Sequence, residues 1–261
     1  MPEAVIITSE KLACRHGFST RLGGVSEGIF ESLNLGRLDL GDEPARVAEN
    51  WALFGRACGV DTARFAHGRQ VHGKTVRVVT AADAHGILAP SADAEGADGY
   101  VTNVPDVPLA VFTADCAPLL MHDPAAGVIA AVHCGWRSTA LDIEAEALDR
   151  MRSLGARPEN IRAAVGPCIR ACCFQTGPEV PAAMGALLGG ELDGLCRPDP
   201  AEEGRFLLDL PGVVKRRLMQ LGVREENIDA GCECTKCHPE RFWSHRRLGL
   251  RRGSQANLIA L

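Results

Sequence analysis

Apolar and polar positions fall in blocks along the 261-residue chain, and the blocks predict strands and helices in turn. Val5–Thr8 is a short apolar run of strand type. His16–Gly28, HGFSTRLGGVSEG, is rich in glycine and serine and predicts a loop that turns or lets backbone approach a ligand. Glu43–Gly59 has helical spacing, with Pro44 near its start and Gly59 just past its end. Thr75–Thr80 reads as a strand, and the small, polar Ala81–Gly99 as a surface loop. Pro108–Thr113 and Gly127–Val132 are apolar runs bounded by turn signals, the mark of buried strands. Thr139–Leu154 predicts one helix ended by Gly155. Ile161–Val165 predicts a strand, Gly166–Phe174 a cysteine-bearing turn, and Pro178–Leu188 and Leu210–Leu221 helices. Ile228–Cys232 and Ala256–Leu261 close the chain as strands. No Pro/Gly/Ser linker, repeat or low-complexity segment interrupts the alternation. One α/β (α+β) domain over residues 1–261, with a mixed sheet, is the expected architecture.

Composition narrows the function classes. The chain is 46% hydrophobic and 23% charged, as globular proteins are. A net charge of −5 argues against nucleic acid as a main partner. Arg246, Arg247, Arg251 and Arg252 crowd together, and read as a solvated charged face. No apolar stretch approaches the ~20 residues of a membrane helix, so no membrane partner is expected. The start, MPEAVIITSEKLACRHGF, lacks the form of a signal peptide. The expected compartment is the cytoplasm, where the 11 cysteines read as thiols, metal ligands or small buried groups.

The two central strand runs end in chemistry: Ala114-Asp115-Cys116 after the first, and His133-Cys134-Gly135-Trp136-Arg137 after the second. With His72 of RQVHG, they offer two imidazoles and a thiol. That set suits zinc, three protein ligands leaving one position for water or substrate. Four other readings stay open on the residues alone, the first being that the histidines are buried and hydrogen-bonded and the cysteine inert. Cys116 is a nucleophile with His133 as its base; Asp115 orients that base; or Cys134 adds a fourth ligand that closes the site, making a metal-binding module without catalysis. Arg137 follows His133 by four positions, and its guanidinium suits phosphate or carboxylate. Cys234-Thr235-Lys236-Cys237-His238 matches the c-type haem pattern C-x-x-C-H, which goes with export; a redox pair, a second metal site with Cys232, or ordinary thiols are the alternatives. Cys168, Cys172 and Cys173 do not make the P-C-x-x-C of zinc nucleobase deaminases, since four positions rather than three separate Cys168 from Cys172.

HGFSTRLGGVSEG, SLNLG (Ser32–Gly36), RQVHG (Arg69–Gly73), TADCAPLL (Thr113–Leu120) and VHCGWRS (Val132–Ser138) resemble the YfiH/DUF152 family, also called the laccase-domain or FAMIN-like family. GPCIRACCF and RFWSHRR extend the likeness along nearly the whole chain. The resemblance implies a single YfiH-like domain of layered mixed sheets flanked by helices. It implies a metal, usually zinc with copper the alternative, on His72, Cys116 and His133. It also implies a purine nucleoside enzyme: phosphorolysis of adenosine, inosine or methylthioadenosine, with adenosine deamination besides. A metal ion with an open position makes water acidic enough to attack a purine ring. Peptidoglycan-precursor editing by a Cys116/His133 hydrolase is the second reading, and polyphenol oxidation the third. Laccases build a copper cluster from H-x-H pairs, and none occurs here. The expected ligands are a nucleoside and phosphate, with Arg21 and Arg137 for the anion and Asn34 and Gln70 for sugar or base. The chain departs from the family pattern at Cys134 and Ser138 of HCGWRS. It departs again at Arg170-Ala171, and at Gly253-Ser254, where the family has Gly-Arg.

Overall fold

The computed structural model describes residues 2–36, 41–89, 95–190 and 192–261; residues 90–94 of the expected 81–99 loop lie outside the described set. In chain order the elements are β1 (Ile6–Ile7), β2 (Arg15–Ser19), α1 (Pro44–Cys58), β3 (Val76–Val78), β4 (Gly99–Thr102), β5 (Leu109–Thr113), β6 (Ala117–Asp123) and β7 (Val128–Cys134). There follow α2 (Trp136–Ala140), α3 (Ile143–Ser153), β8 (Arg162–Val165), β9 (Gln175–Thr176), α4 (Glu179–Leu188), β10 (Cys196–Pro198) and β11 (Phe206–Leu208). The last are α5 (Leu210–Gln220), β12 (Ile228–Asp229), α6 (His245–Leu248) and β13 (Gln255–Ala260).

Two sheets stack face to face. One has the order β1-β2-β13-β5 and the other β12-β8-β6-β7-β4-β3; β9 to β11 make a small third sheet. The first is antiparallel throughout, whereas the second mixes parallel β12–β8 and β3–β4 pairs with antiparallel ones. Side chains of a strand alternate between faces, and β5 and β6 are apolar on each face. In β5, Leu109 and Val111 pack between the sheets with Phe18, Leu120 and Ala131, while Ala110 and Phe112 meet Trp51 and Phe54 of α1. In β6, Leu120 faces the first sheet, while Leu119 and Met121 face Ile143, Leu148 and Met151 of α3. The result is helix, sheet, sheet, helices. This is the expected α/β class of layered mixed sheets flanked by helices.

Four points need correction, three strands and one helix. β6, β4 and β2 are strands that the apolar pattern does not announce. Pro118, His122 and Asp123 punctuate β6; β4 is four residues long; and β2 starts at Arg15 and runs into the expected loop from His16 to Ser19. The helix expected over Thr139–Leu154 is two, α2 and α3. It breaks at Asp142, whose φ is 65° and whose carboxylate takes Arg217 of α5 in two hydrogen bonds of 2.8 and 2.6 Å. That bidentate pair binds the helical layer together across the break. Where a glycine ends an expected helix, at Gly59 and Gly189, the left-handed φ of 67° and 78° is observed. No helix among the described residues is long and apolar enough to cross a membrane.

Candidate active site

His72, Cys116 and His133 meet where the two sheets exchange the chain. His133 lies near the end of β7. Cys116 sits in the three residues that carry the chain from β5 in one sheet to β6 in the other. His72 comes from the connection leading to β3. One ligand atom from each lies within 4.8 Å of the others. Cys116 Sγ is 3.7 Å from His72 Nε2, and the two imidazole rings stand 4.9 Å apart at 73°. Gly135 leaves the space for this: a Cβ there would come within 2.8 Å of His72 Cδ2 and 3.3 Å of Cys116 Sγ.

Asp98, fully buried just before β4, braces the group. Its carboxylate accepts the backbone N–H groups of Val71 (3.1 Å), His72 (3.0 Å) and Gly73 (2.8 Å), and bonds His133 Nδ1 at 2.8 Å. His72 has a φ of 57°, a left-handed conformation that a non-glycine residue holds only when its surroundings enforce it. Asp98 supplies that enforcement. The His133 N–H donates to the Asp98 carbonyl at 2.7 Å, so β4 and β7 stay paired up to the site. With Nδ1 held, Nε2 of His133 is left for the site, the carboxylate–histidine arrangement common behind metal-binding imidazoles. Burial works against charge on Cys116 and His133, but each favours charge on the other. The thiol is drawn down to about 6 and the imidazole up to about 9, with Asp98 adding to the latter. Each side chain thus stabilises the charged form of the other.

Asp115 does not orient the base. It has a φ of 88° and accepts Thr235 Oγ1 (2.6 Å), Ser244 Oγ (3.1 Å) and the Arg246 N–H (2.6 Å), tying the C-terminal segment to the β5–β6 crossing. Cys134 is no fourth ligand either. One residue beyond His133 in a strand, it faces the other way, into the core against α3, fully buried. There it neighbours Glu144, a buried carboxyl that accepts Thr139 Oγ1 at 3.0 Å. Burial pushes Glu144 up to about 7 and the Cys134 thiol well above its ordinary value.

The triad opens into a cavity of about 560 Å³. Phe112, Trp136, Ile169 and Phe174 give it apolar surface; Arg137, Arg246 and Arg252 give it positive charge. The four crowded arginines are therefore not all a solvated face. Arg252 donates from Nη1 to the Gly253 carbonyl (2.8 Å) and Ser254 Oγ (3.0 Å), while its buried Nε has no hydrogen-bond partner. Burial lowers its pKa, against the pull of Asp115 and Cys116 nearby. The arginine missing after Gly253 is thus matched by one just before it. Arg137 leans on the Trp136 ring at 4.4 Å and Arg246 lies over Phe174 at 5.6 Å.

The other expected site residues fare unequally. Arg21 does not line the cavity. Its guanidinium donates to the carbonyls of Glu31 and Pro239 and lies 3.9 Å over the Trp243 ring, a structural use of every part of the group. Asn34 is fully buried and bonds Asp42, the Gly36 N–H and the Ser254 N–H. Gln70 lines the cavity, but its amide is closed in a ring with the Phe112 backbone, Nε2 to the carbonyl at 2.8 Å and Oε1 from the N–H at 2.7 Å. No spacing rule links Asp98 to His133, 35 residues on; only the sheet pairing does.

Residues 15–261 match the family described as multi-copper polyphenol oxidoreductase laccase. The chain belongs to this family. Its fold is similar to that of YfiH from Bacillus licheniformis, with a TM-score of 0.90 and 30% identity over 100% of this chain and 97% of that one. It is also similar to YlmD from Geobacillus stearothermophilus, with a TM-score of 0.85 and 30% identity over 97% and 93%. A Deinococcus radiodurans relative named purine nucleoside phosphorylase is 41% identical over 246 residues, 94% of this chain and 88% of that protein. Such names support an enzyme of the YfiH family here. They do not favour the cysteine-hydrolase reading, in which His72 would have no task. The laccase description finds no cluster of histidines to match it. Among the described residues the histidine-bearing metal-ligand group is His72, Cys116 and His133.

Proposed function

We propose that this chain is a zinc-dependent purine nucleoside phosphorylase acting on adenosine, inosine or methylthioadenosine, with adenosine deamination as a side activity. The observation that carries the reading is one cavity holding both a three-ligand metal-type site and a half-buried arginine whose Nε has no hydrogen-bond partner. The printed name of the Deinococcus radiodurans relative points the same way. His72, Cys116 and His133 would hold the ion. Their mixed nitrogen and sulfur donors, open side and carboxylate brace fit a catalytic zinc rather than a closed structural one. When bound, zinc supplies a Lewis acid to whichever substrate oxygen it meets.

The rest falls to the chain's own side chains. Arg252, with Arg246 and Arg137, holds phosphate by charge-assisted hydrogen bonds. Phe112, Phe174 and Trp136 offer flat apolar surface to a purine and keep water from the glycosidic carbon. Gln70 fixes the Phe112 backbone rather than the sugar. As the bond from C1′ to the base breaks, its electron pair leaves with the purine. A phosphate oxygen then forms the new bond to C1′, and the proton the phosphate carried passes to the purine nitrogen that took the electron pair. Positive charge that develops on the sugar meets the phosphate the arginines hold beside it.

Purified protein incubated with adenosine yields adenine and ribose 1-phosphate in equal amounts, and only when phosphate is present. Inosine in the same mixture reads the deamination. Protein that holds its metal yet forms neither adenine nor inosine overturns the proposal.

A further inference from the structure

A second cluster of sulfur lies outside the triad and has no part in the reaction above. Cys172 and Cys173 end the Gly166–Phe174 turn, and Cys234 and Cys237 belong to the CTKC turn. One sulfur from each lies within 4.8 Å of all the others. Cys237 Sγ is 3.5 Å from Cys172 Sγ and 3.4 Å from Cys173 Sγ. A disulfide would bring two sulfurs to ~2.05 Å. A tetrahedral zinc ion, with Zn–S of ~2.3 Å, spaces its four sulfurs roughly 3.8 Å apart. An iron–sulfur cluster puts its own irons and sulfides between the thiolates and needs a wider cage than this one.

Ordinary core packing does not account for the cluster, because Cys172 and Cys237 are exposed. The c-type haem reading fails on the same geometry, because Cys234 and Cys237 turn towards Cys172 and Cys173 rather than standing apart for thioether bonds.

We propose that Cys172, Cys173, Cys234 and Cys237 bind one zinc ion in a closed tetrathiolate site, separate from the triad. Each thiol releases its proton to solvent as it takes the ion, and zinc remains divalent. The ion clasps two turns that the backbone already aligns, through Cys168 N–H to the Glu233 carbonyl (3.3 Å) and Thr235 N–H to the Cys168 carbonyl (3.0 Å). Those turns carry Ile169 and Phe174 of the cavity wall and Thr235, which holds Asp115. The clasp steadies the cavity without touching substrate.

Zinc analysis of the purified protein tests this. Cys116→Ala, which removes a triad ligand, retains one zinc per chain, and the double variant Cys172→Ser/Cys237→Ser loses one zinc relative to the parent. Cobalt exchanged into Cys116→Ala shows the intense sulfur-to-metal charge transfer of four thiolates. Three results overturn the proposal: Cys116→Ala without bound zinc, cobalt spectra lacking that band, or peptide mapping that finds Cys237 in a disulfide in protein purified without oxygen. Should the double variant fail to fold, the cobalt spectrum of Cys116→Ala decides alone.

Discussion

The floor and the rim of the cavity are made by opposite means. On the floor, His133, Cys116 and His72 are fixed by paired strands and by Asp98, a buried carboxylate that gathers four N–H groups. On the rim, Arg137, Arg246 and Arg252 come from short helices and connections, resting on aromatic rings and carbonyls. A rigid floor suits an ion whose ligands tolerate little displacement. A rim of long side chains suits an anion that must enter and leave. The floor should therefore fail abruptly when altered, and the rim by degrees.

Cys116→Ala takes away a ligand and should lower kcat/KM for adenosine phosphorolysis more than about 100-fold, beyond the range usual for residues behind a metal site. Activity that survives it would take the sulfur out of the floor. Asp98→Asn keeps the shape but weakens the hold on His133 and the His72 loop. It should cost about 10- to 100-fold in activity or metal affinity, with circular dichroism showing the fold retained. On the rim, Arg252→Ala should raise the KM for phosphate about 10-fold and that for adenosine far less, the worth of one charge-assisted bond. Arg21→Ala should leave both KM values alone and lower only the melting temperature. If the two arginines exchange these behaviours, the anion sits elsewhere.

The smallest effect on activity, and a separate one on stability, belongs to Glu144 beneath the floor. Its carboxyl titrates at about 7 when folded against 4.5 ordinarily, so the folded chain keeps a proton that the unfolded chain gives up. Stability from this group is full below about 4.5, falls as pH rises towards 7, and is level above. The loss is up to about 3 kcal/mol at about 1.4 kcal/mol per pH unit. Glu144→Gln removes that slope, and denaturant melts of both proteins at pH 5 and pH 8 measure the difference.

What was legible in the sequence divides along the same line. β5, β7, β8 and β13 are apolar enough on both faces to announce themselves, and Pro44 and Gly59 bracket α1 as capping rules require. The three ligands were visible because two of them end such runs. β6 was not, since a proline and a histidine interrupt it while the fold still buries every residue of it. The rim was misread because an arginine among arginines looks solvated until tertiary structure encloses it, as it does Arg252. Arg21 and Asn34 show the converse. Their residue types suit a ligand, yet buried carbonyls and amides elsewhere in the fold claim them first. Asp98 carries no mark in one dimension at all, because its meaning depends on which strand lies beside it.

Asp115 adjoins Cys116 in the chain and grips Thr235, Ser244 and Arg246 with its side chain. A change at Thr235 or Ser244, or in the backbone at Arg246, is consequently felt beside the sulfur. A change of substrate preference made by rewriting residues 244–254 has to leave that three-way handshake standing, and this restricts where new specificities can arise.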